Sequence, residues 1–320
     1  MARMGKGIVN VGEISAQIGS YLKLSADPKP LRLIYSSTSN WPFSEAKSAA
    51  DSRQQIDIGV LDSSFNPPHK AHYALAVSPK PAFADEEATA IKSKERYDAI
   101  LLLFSVRNAD KGLGSSKDAN PAERIEMMQL MAQELEQSKS INVAVGIVEE
   151  PLMITKSTLI HNFIQEQQQQ HDSPRVRLHW LVGFDTLERF FQVKYYPSPD
   201  YFAKACQTYF QNERTTFVCA RRQMMENKNT NAKHDTTSQK AEEELLNSKE
   251  VSPWKERGSV VMIDLPTSVQ DVSSTAIRKT IQEQGSMTDD DLEGELSQMT
   301  TPAIASYLVR KKLYKADKQD

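Results

Sequence analysis

Cysteine is nearly absent from this chain: Cys206 and Cys219 are the only two in 320 residues. Neither a disulfide framework nor a structural zinc site follows from two cysteines, and a reducing compartment is the default. Long apolar runs are missing as well. No stretch approaches the roughly 20 residues of a membrane-spanning helix, and no secretory h-region is present. Arg3 and Lys6 precede the first acid, Glu13, but arginine and serine are too sparse there to read as a mitochondrial presequence. Strong charge of either sign is also lacking, with a formal net charge of -3 and a sequence pI of about 6.1. Bulk nucleic-acid affinity is therefore not expected, although a local basic pocket for a phosphorylated ligand remains compatible. No internal repeat is visible, and no carboxylate cluster marks a dedicated metal cage.

What is present is an ordinary hydrophobic content of 39% arranged in alternation. Apolar strand candidates recur at Ile58 to Leu61, Ala99 to Phe104, Ile141 to Val148, Leu178 to Val182, Thr216 to Ala220 and Val260 to Leu265, with helical segments between. That order predicts an α/β fold, a doubly wound parallel sheet whose ligand site lies at the carboxyl ends of the strands. Residues 1–54 read as an N-terminal extension. It holds an apolar-patterned piece from Ile14 to Leu24 and a strand-like piece from Leu31 to Tyr35, both packing on a main domain of residues 55–320. Residues 223–257 are polar and read as a mobile insertion with little to bury. The Gln-rich run at 165–170 extends a helix on its solvent side, and Ile304 to Tyr314 reads as a closing helix.

The segment Ile58-Gly-Val-Leu-Asp-Ser-Ser-Phe-Asn-Pro-Pro-His-Lys-Ala-His72 carries the most chemistry. Its apolar run suits a buried strand, and Ser63, Ser64 and Asn66 supply turn and cap chemistry. Pro68 suits the first position of a helix, where its missing N–H is no loss. His69 and His72, at i and i+3, then share one face of the first turn, beside unbonded backbone N–H groups and the positive end of the helix dipole. This is the composition of a phosphate site. The structural alternative has His69 capping the loop and His72 packing under the sheet.

A second place of this kind is Val269-Gln-Asp-Val-Ser-Ser-Thr-Ala-Ile-Arg-Lys279. Ser273 or Ser274 is a good N-cap, so Arg278 and Lys279 lie near a helix N-terminus, where the dipole disfavours cations unless an anion lies between. A triphosphate is such an anion; an exposed pair with Asp271 is the bland alternative. Between the two segments, Leu178 to Phe191 reads as a strand turning into an amphipathic helix at Gly183-Phe-Asp185. There Asp185 and Glu188 also make a capping-box-like start.

The order of strand, Ser64-Phe65-Asn66-Pro67 loop and His69-x-x-His72 resembles the nucleotidyltransferase superfamily, whose helix begins with [HT]-x-G-H. More narrowly, it is similar to the G-S-F-N-P of eukaryotic nicotinamide mononucleotide adenylyltransferases. Ser63 stands at the first glycine of that pattern and Ala71 at the glycine of [HT]-x-G-H. Alanine is the better helix former, whereas Ser63 occupies a loop position where glycine is the freer residue. Val272-Ser-Ser-Thr-Ala-Ile-Arg278 resembles the family's I-S-S-T-x-[IV]-R, and Gly183-x-Asp185 its G-x-D. Phe104 to Leu113 and Pro121 to Met127 resemble a family loop and the helix after it, with Lys111 and Arg124 on basic positions. A lysine in such a loop reaches a phosphate or simply stays solvated. Where the family has W-x-x-T, with the tryptophan on the nicotinamide ring, this chain has Leu152, which covers a ring without the π contact.

The resemblance, over roughly residues 56 to 315, implies a Rossmann-like enzyme that joins ATP and nicotinamide mononucleotide into NAD and releases pyrophosphate. It implies catalytic roles for His69, His72 and Arg278. Nucleotide contacts would come from Ser64, Phe65, Lys111, Gly183, Asp185, Ser273, Ser274 and Thr275. Mg2+ arrives with ATP, no nucleic-acid or membrane partner is expected, and the cytoplasm is the expected location, with the nucleus as an additional one. Two other classes stay open. One is ATP hydrolysis or another transfer of the superfamily, favoured by the missing tryptophan. The other is a nucleotide-binding regulatory protein without turnover, favoured by Ser63 and Leu152 and opposed by the intact His-x-x-His and Ser-Ser-Thr-x-x-Arg.

Overall fold

The computed structural model describes residues 10–43, 55–81, 95–106, 118–167, 175–221 and 235–315. Their strands are β1 (Arg32–Ser36), β2 (Ile56–Asp62), β3 (Ala99–Ser105), β4 (Asn142–Val148), β5 (Val176–Gly183), β6 (Thr216–Ala220) and β7 (Val260–Ile263). The helices are α1 (Val11–Leu22), α2 (Lys70–Ala76), α3 (Pro121–Lys139), α4 (Met153–Gln167), α5 (Phe184–Phe190), α6 (Pro199–Gln207), α7 (Asp235–Leu246), α8 (Ser252–Glu256), α9 (Ser274–Gln282), α10 (Asp289–Met299) and α11 (Pro302–Lys311).

The strands form one seven-stranded sheet in the order β1-β4-β3-β2-β5-β6-β7. From β4 to β7 the neighbours run parallel. Parallel strands covered on both faces are apolar almost throughout, which is why their positions were readable as short unbroken runs. β1 is different: it pairs antiparallel with β4, with a register shift between Leu33 and Tyr35. The expected doubly wound parallel sheet thus carries one antiparallel strand at its edge, a place where open α/β sheets commonly have one. The N-terminal segment supplies a strand of the main sheet rather than an appendage to it.

Helices cover both faces. On one, Ile14, Met128, Ile277 and Leu308 pack with Leu102 and Leu181 of the sheet. On the other, Ile160, Leu187 and Phe202 pack with Leu101, Trp180 and Phe217. This is a doubly wound, Rossmann-like α/β fold with a mixed, mostly parallel sheet. The strand order reverses between β2 and β5, and sheets of this kind bind ligands beyond the carboxyl ends of the strands at such a point.

Residues 235–257 correct the expectation of an insertion with little to bury. Leu246 and Val251 are 7% and 0% exposed, and Trp254 stacks on Phe210 with ring centroids 4.6 Å apart. Buried Glu242 pairs with Arg221. These apolar residues are few among many charges, so composition hides them. The first part of that expectation, up to residue 234, lies outside the described residues.

Candidate active site

β2 ends at Asp62, and the chain passes through Ser63 to Pro68 before α2 begins at Lys70. The helix starts later than Pro68 predicts because His69, with extended backbone at φ -144° and ψ 171°, is the N-cap. The helix has only seven residues, so the site rests on side chains more than on a helix end. Asn66 does not cap it. Its Nδ2 donates to Asp118 Oδ1 at 2.6 Å, and its Oδ1 accepts the Ala119 N–H at 3.2 Å. Arg124 pairs with Asp118 at 3.3 Å and donates to the Ala119 carbonyl at 2.7 Å. Burial lowers the Arg124 pKa from the usual arginine value, and the nearby Arg278 adds to this, against the pull of Asp118.

The rings of His69 and His72 lie 3.7 Å apart with a tilt of 30°. Burial keeps both neutral: the His69 pKa falls to about 4, and that of His72 falls well below the ordinary imidazole value, with His69 contributing. The two are not equivalent. His72 is 8% exposed, its Nδ1 accepts the His69 backbone N–H at 3.2 Å, and its Nε2 lies 3.0 Å from Ser63 Oγ. A neutral ring accepting at Nδ1 carries its proton on Nε2, which then donates to Ser63. Ser63 thus serves as the hydrogen-bond partner of the His72 ring. His69 Nδ1, by contrast, is buried with no hydrogen-bond partner among the described residues, which in a native structure calls for an explanation such as a ligand.

These lowered values fix a pH dependence. The native state resists the proton that an unfolded histidine takes up near pH 6.5. The stability from the neutral His69 is complete above that pH and is lost as pH falls toward about 4. His69→Gln removes this contribution, so urea midpoints should shift in favour of the variant, relative to wild type, as the buffer is taken from pH 6.5 to 4. A difference that stays constant over that range would mean that His69 titrates as a solvated residue.

Ser273 caps α9 as expected, accepting the Ala276 N–H at 3.1 Å. Ser274 Oγ donates to the Pro67 carbonyl at 2.7 Å, and Arg278 Nη1 donates to the Asn66 carbonyl at 2.6 Å. Arg278 Nη2 reaches Thr275 Oγ1 at 3.3 Å. Arg278 is thus half-buried on the histidine loop rather than an exposed partner of Asp271. The two motifs that carried the sequence argument meet on one stretch of backbone, Asn66 to Pro67. Ser273 and Thr275 are exposed on the same turn.

Ser64 is exposed in the loop. Phe65 has a left-handed backbone, φ 45°, and a fully buried ring 5.1 Å from that of His72. The ring backs His72, so any nucleotide contact from Phe65 falls to its backbone. Gly183 caps α5 at φ -86°, and a Cβ there would meet nothing within 4 Å. The fold does not need glycine at this point; the missing side chain leaves open space at the carboxyl end of β5. Asp185 is exposed in the first turn of α5, one residue inside the helix, so the capping box expected with Glu188 does not form.

Leu152 is half-buried against the second core cluster, just before α4. Lys156 on that helix, 4% exposed, pairs with Asp62 at 2.5 Å and ties the end of β2 to α4. Sequence reasoning missed this pair; the available signal was a carboxylate closing an apolar strand directly before Ser63. Lys111 lies outside the described residues. Among the described residues, no group of three or more His, Cys, Asp or Glu could hold a metal ion, and no helix is long and apolar enough to cross a membrane.

A Schizosaccharomyces pombe protein described as "putative nicotinamide mononucleotide adenylyltransferase" is 35% identical over 140 residues, 43% of this chain and 44% of that protein. The chain thus spans less than half the length of the curated relative that it matches. No family model matches. Two solved structures of Plasmodium falciparum nicotinic acid mononucleotide adenylyltransferase, complexed with NaAD and with APC, cover 81% of this chain and 97% of theirs at 13% and 12% identity. Their TM-scores are 0.45 and 0.42.

Proposed function

We propose that this chain is an adenylyltransferase that joins ATP to nicotinamide mononucleotide, giving NAD and pyrophosphate. One observation carries the reading: the neutral imidazoles of His69 and His72 and the Ser274 and Arg278 side chains converge on one loop at the carboxyl end of β2. The likeness to the S. pombe protein supports it. A phosphate oxygen of the mononucleotide would attack the α-phosphorus of ATP in line. The bond from that phosphorus to the bridging oxygen breaks, and pyrophosphate leaves with the oxygen and its electron pair. No protein group need be covalently modified, because positioning and charge neutralisation can supply the rate.

His69, whose Nδ1 lacks a partner among the described residues, would meet the phosphates directly, with His72 and Ser63 behind it. Arg278, Ser273, Ser274 and Thr275 would hold the β and γ phosphates, and Lys111 would close over them. Gly183 leaves room for the nucleotide beside Asp185. Mg2+ would enter on the triphosphate as part of the substrate, with no protein cage assigned. The cytoplasm is the proposed location, with the nucleus as an additional one.

The deciding assay is pyrophosphate release from Mg-ATP, with mononucleotides supplied one at a time. Stimulation by nicotinamide mononucleotide together with NAD formation supports the proposal, and a response to the nicotinate form instead corrects the base. Phosphate release without any mononucleotide would make the protein a hydrolase. ATP binding with neither product would make it a regulatory protein.

Leu152 tests base recognition. If it lies where the family stacks tryptophan, Leu152→Trp should tighten nicotinamide mononucleotide binding by on the order of 1 kcal/mol, provided the half-buried site repacks. Unchanged affinity in a stably folded variant would show that Leu152 is ordinary core.

A further inference from the structure

The carbonyls of Asn66, Pro67 and Pro68 stand upstream of α2, whose first helical bond runs from the Tyr73 N–H to the His69 carbonyl at 3.2 Å. They have no donor from that helix, and Pro67 and Pro68 remove two of the loop's own N–H groups. Backbone carbonyls in such a buried stretch must be bonded from elsewhere. All three find donors in the last fifty residues of the chain: Arg278 on Asn66 at 2.6 Å, Ser274 on Pro67 at 2.7 Å and Thr300 on Pro68 at 2.8 Å. A fourth bond runs from the Tyr314 hydroxyl to Asn66 Oδ1 at 2.7 Å.

Thr300 and Tyr314 are 0% and 8% exposed. Thr300 lies in the turn between α10 and α11, and Tyr314 lies beyond α11. With Ser274 and Arg278 on α9, the donors come from three separate stretches, so no single local motif accounts for their convergence. The Asn66 side chain has little freedom left: its Oδ1 accepts from both Ala119 N–H and Tyr314, while its Nδ2 donates to Asp118. Thr300 acts on the residue immediately before His69. Tyr314 acts on the residue that also receives Arg278.

We propose that Thr300 and Tyr314 are positioning residues which, with Ser274 and Arg278, form a clamp by which the C-terminal segment places the His69 and His72 loop. The proposal rests on the reading of this loop as the site of nucleotidyl transfer. The competing account is that both residues only dock the C-terminal helices onto the body of the protein.

The test compares Tyr314→Phe and Thr300→Val, each close in shape and lacking only the hydroxyl donor, with Thr300→Ser, which restores it. In the full chain, each of the first two should lower kcat for Mg-ATP and nicotinamide mononucleotide by on the order of tenfold, with little change in KM. Hydrogen exchange should quicken severalfold across residues 60–76 and stay near wild type in 289–311. Thr300→Ser should recover both properties. The clamp is overturned if kcat per folded molecule and exchange across 60–76 both match wild type, or if exchange rises only in the C-terminal helices. A wild type without transferase activity sinks the reaction and not the clamp. Exchange then decides alone: faster exchange across 60–76 supports the clamp, and wild-type exchange there rejects it.

Discussion

His69→Ala is expected to lower turnover by about a hundredfold while lowering the thermal midpoint only slightly. The side chain shares a reciprocal cap of α2 with His72, while its Nδ1 has no partner among the described residues. Removing it forfeits a ring contact with His72 and its share of that cap, a loss of about 1 kcal/mol in stability. A large kinetic loss would therefore have to come from the ligand. His72→Ala is the less informative change, since it strips a partner from both Ser63 Oγ and the His69 N–H and should cost stability as well as rate. Turnover at saturating Mg-ATP and melting curves on the same preparations separate the two. Activity that falls only in proportion to the folded fraction would return His69 to a structural role.

Arg278→Ala should weaken ATP binding by about 10- to 100-fold, the range of a charge-assisted hydrogen bond, and affect the mononucleotide far less. The structure complicates the alanine variant, because Arg278 also bonds the Asn66 carbonyl at 2.6 Å. Arg278→Gln resolves this. Glutamine can still donate to that carbonyl but brings no charge to a triphosphate. ATP affinity lost in both variants, with loop hydrogen exchange normal in Arg278→Gln, assigns the effect to charge. Equal losses for ATP and the mononucleotide would exclude a specific triphosphate role.

Much of the fold was legible because buried parallel strands are short apolar runs. Thr216–Ala220 was read to the residue, and the other parallel strands were found with small errors at their ends. The sense of β1 was not legible, since alternation identifies a strand but not the direction of its partner. Trp254 and Val251 escaped because local composition around them is polar, although each packs in the second core cluster. At the site, the histidines and the Ser-Ser-Thr-x-x-Arg segment are local patterns and could be recognised by eye. What Arg278 bonds was not, because its partner Asn66 is 212 positions away in the chain. Asn66 itself looked like a cap, as turn asparagines usually do, and only the tertiary fold shows its amide turned to Asp118.

The antiparallel strand at the sheet edge bears on how the protein behaves in a crowded solution. β4 reads Asn-Val-Ala-Val-Gly-Ile-Val, an uncharged, proline-free stretch of the kind that pairs with copies of itself when its edge is bare. β1 occupies that edge, with Arg32 opposite Ile147 and Ser36 opposite Ala144. A chain shortened to begin at β2 would keep every residue of the candidate site and yet present an open apolar edge, so its first failure would be self-association into larger particles rather than loss of chemistry.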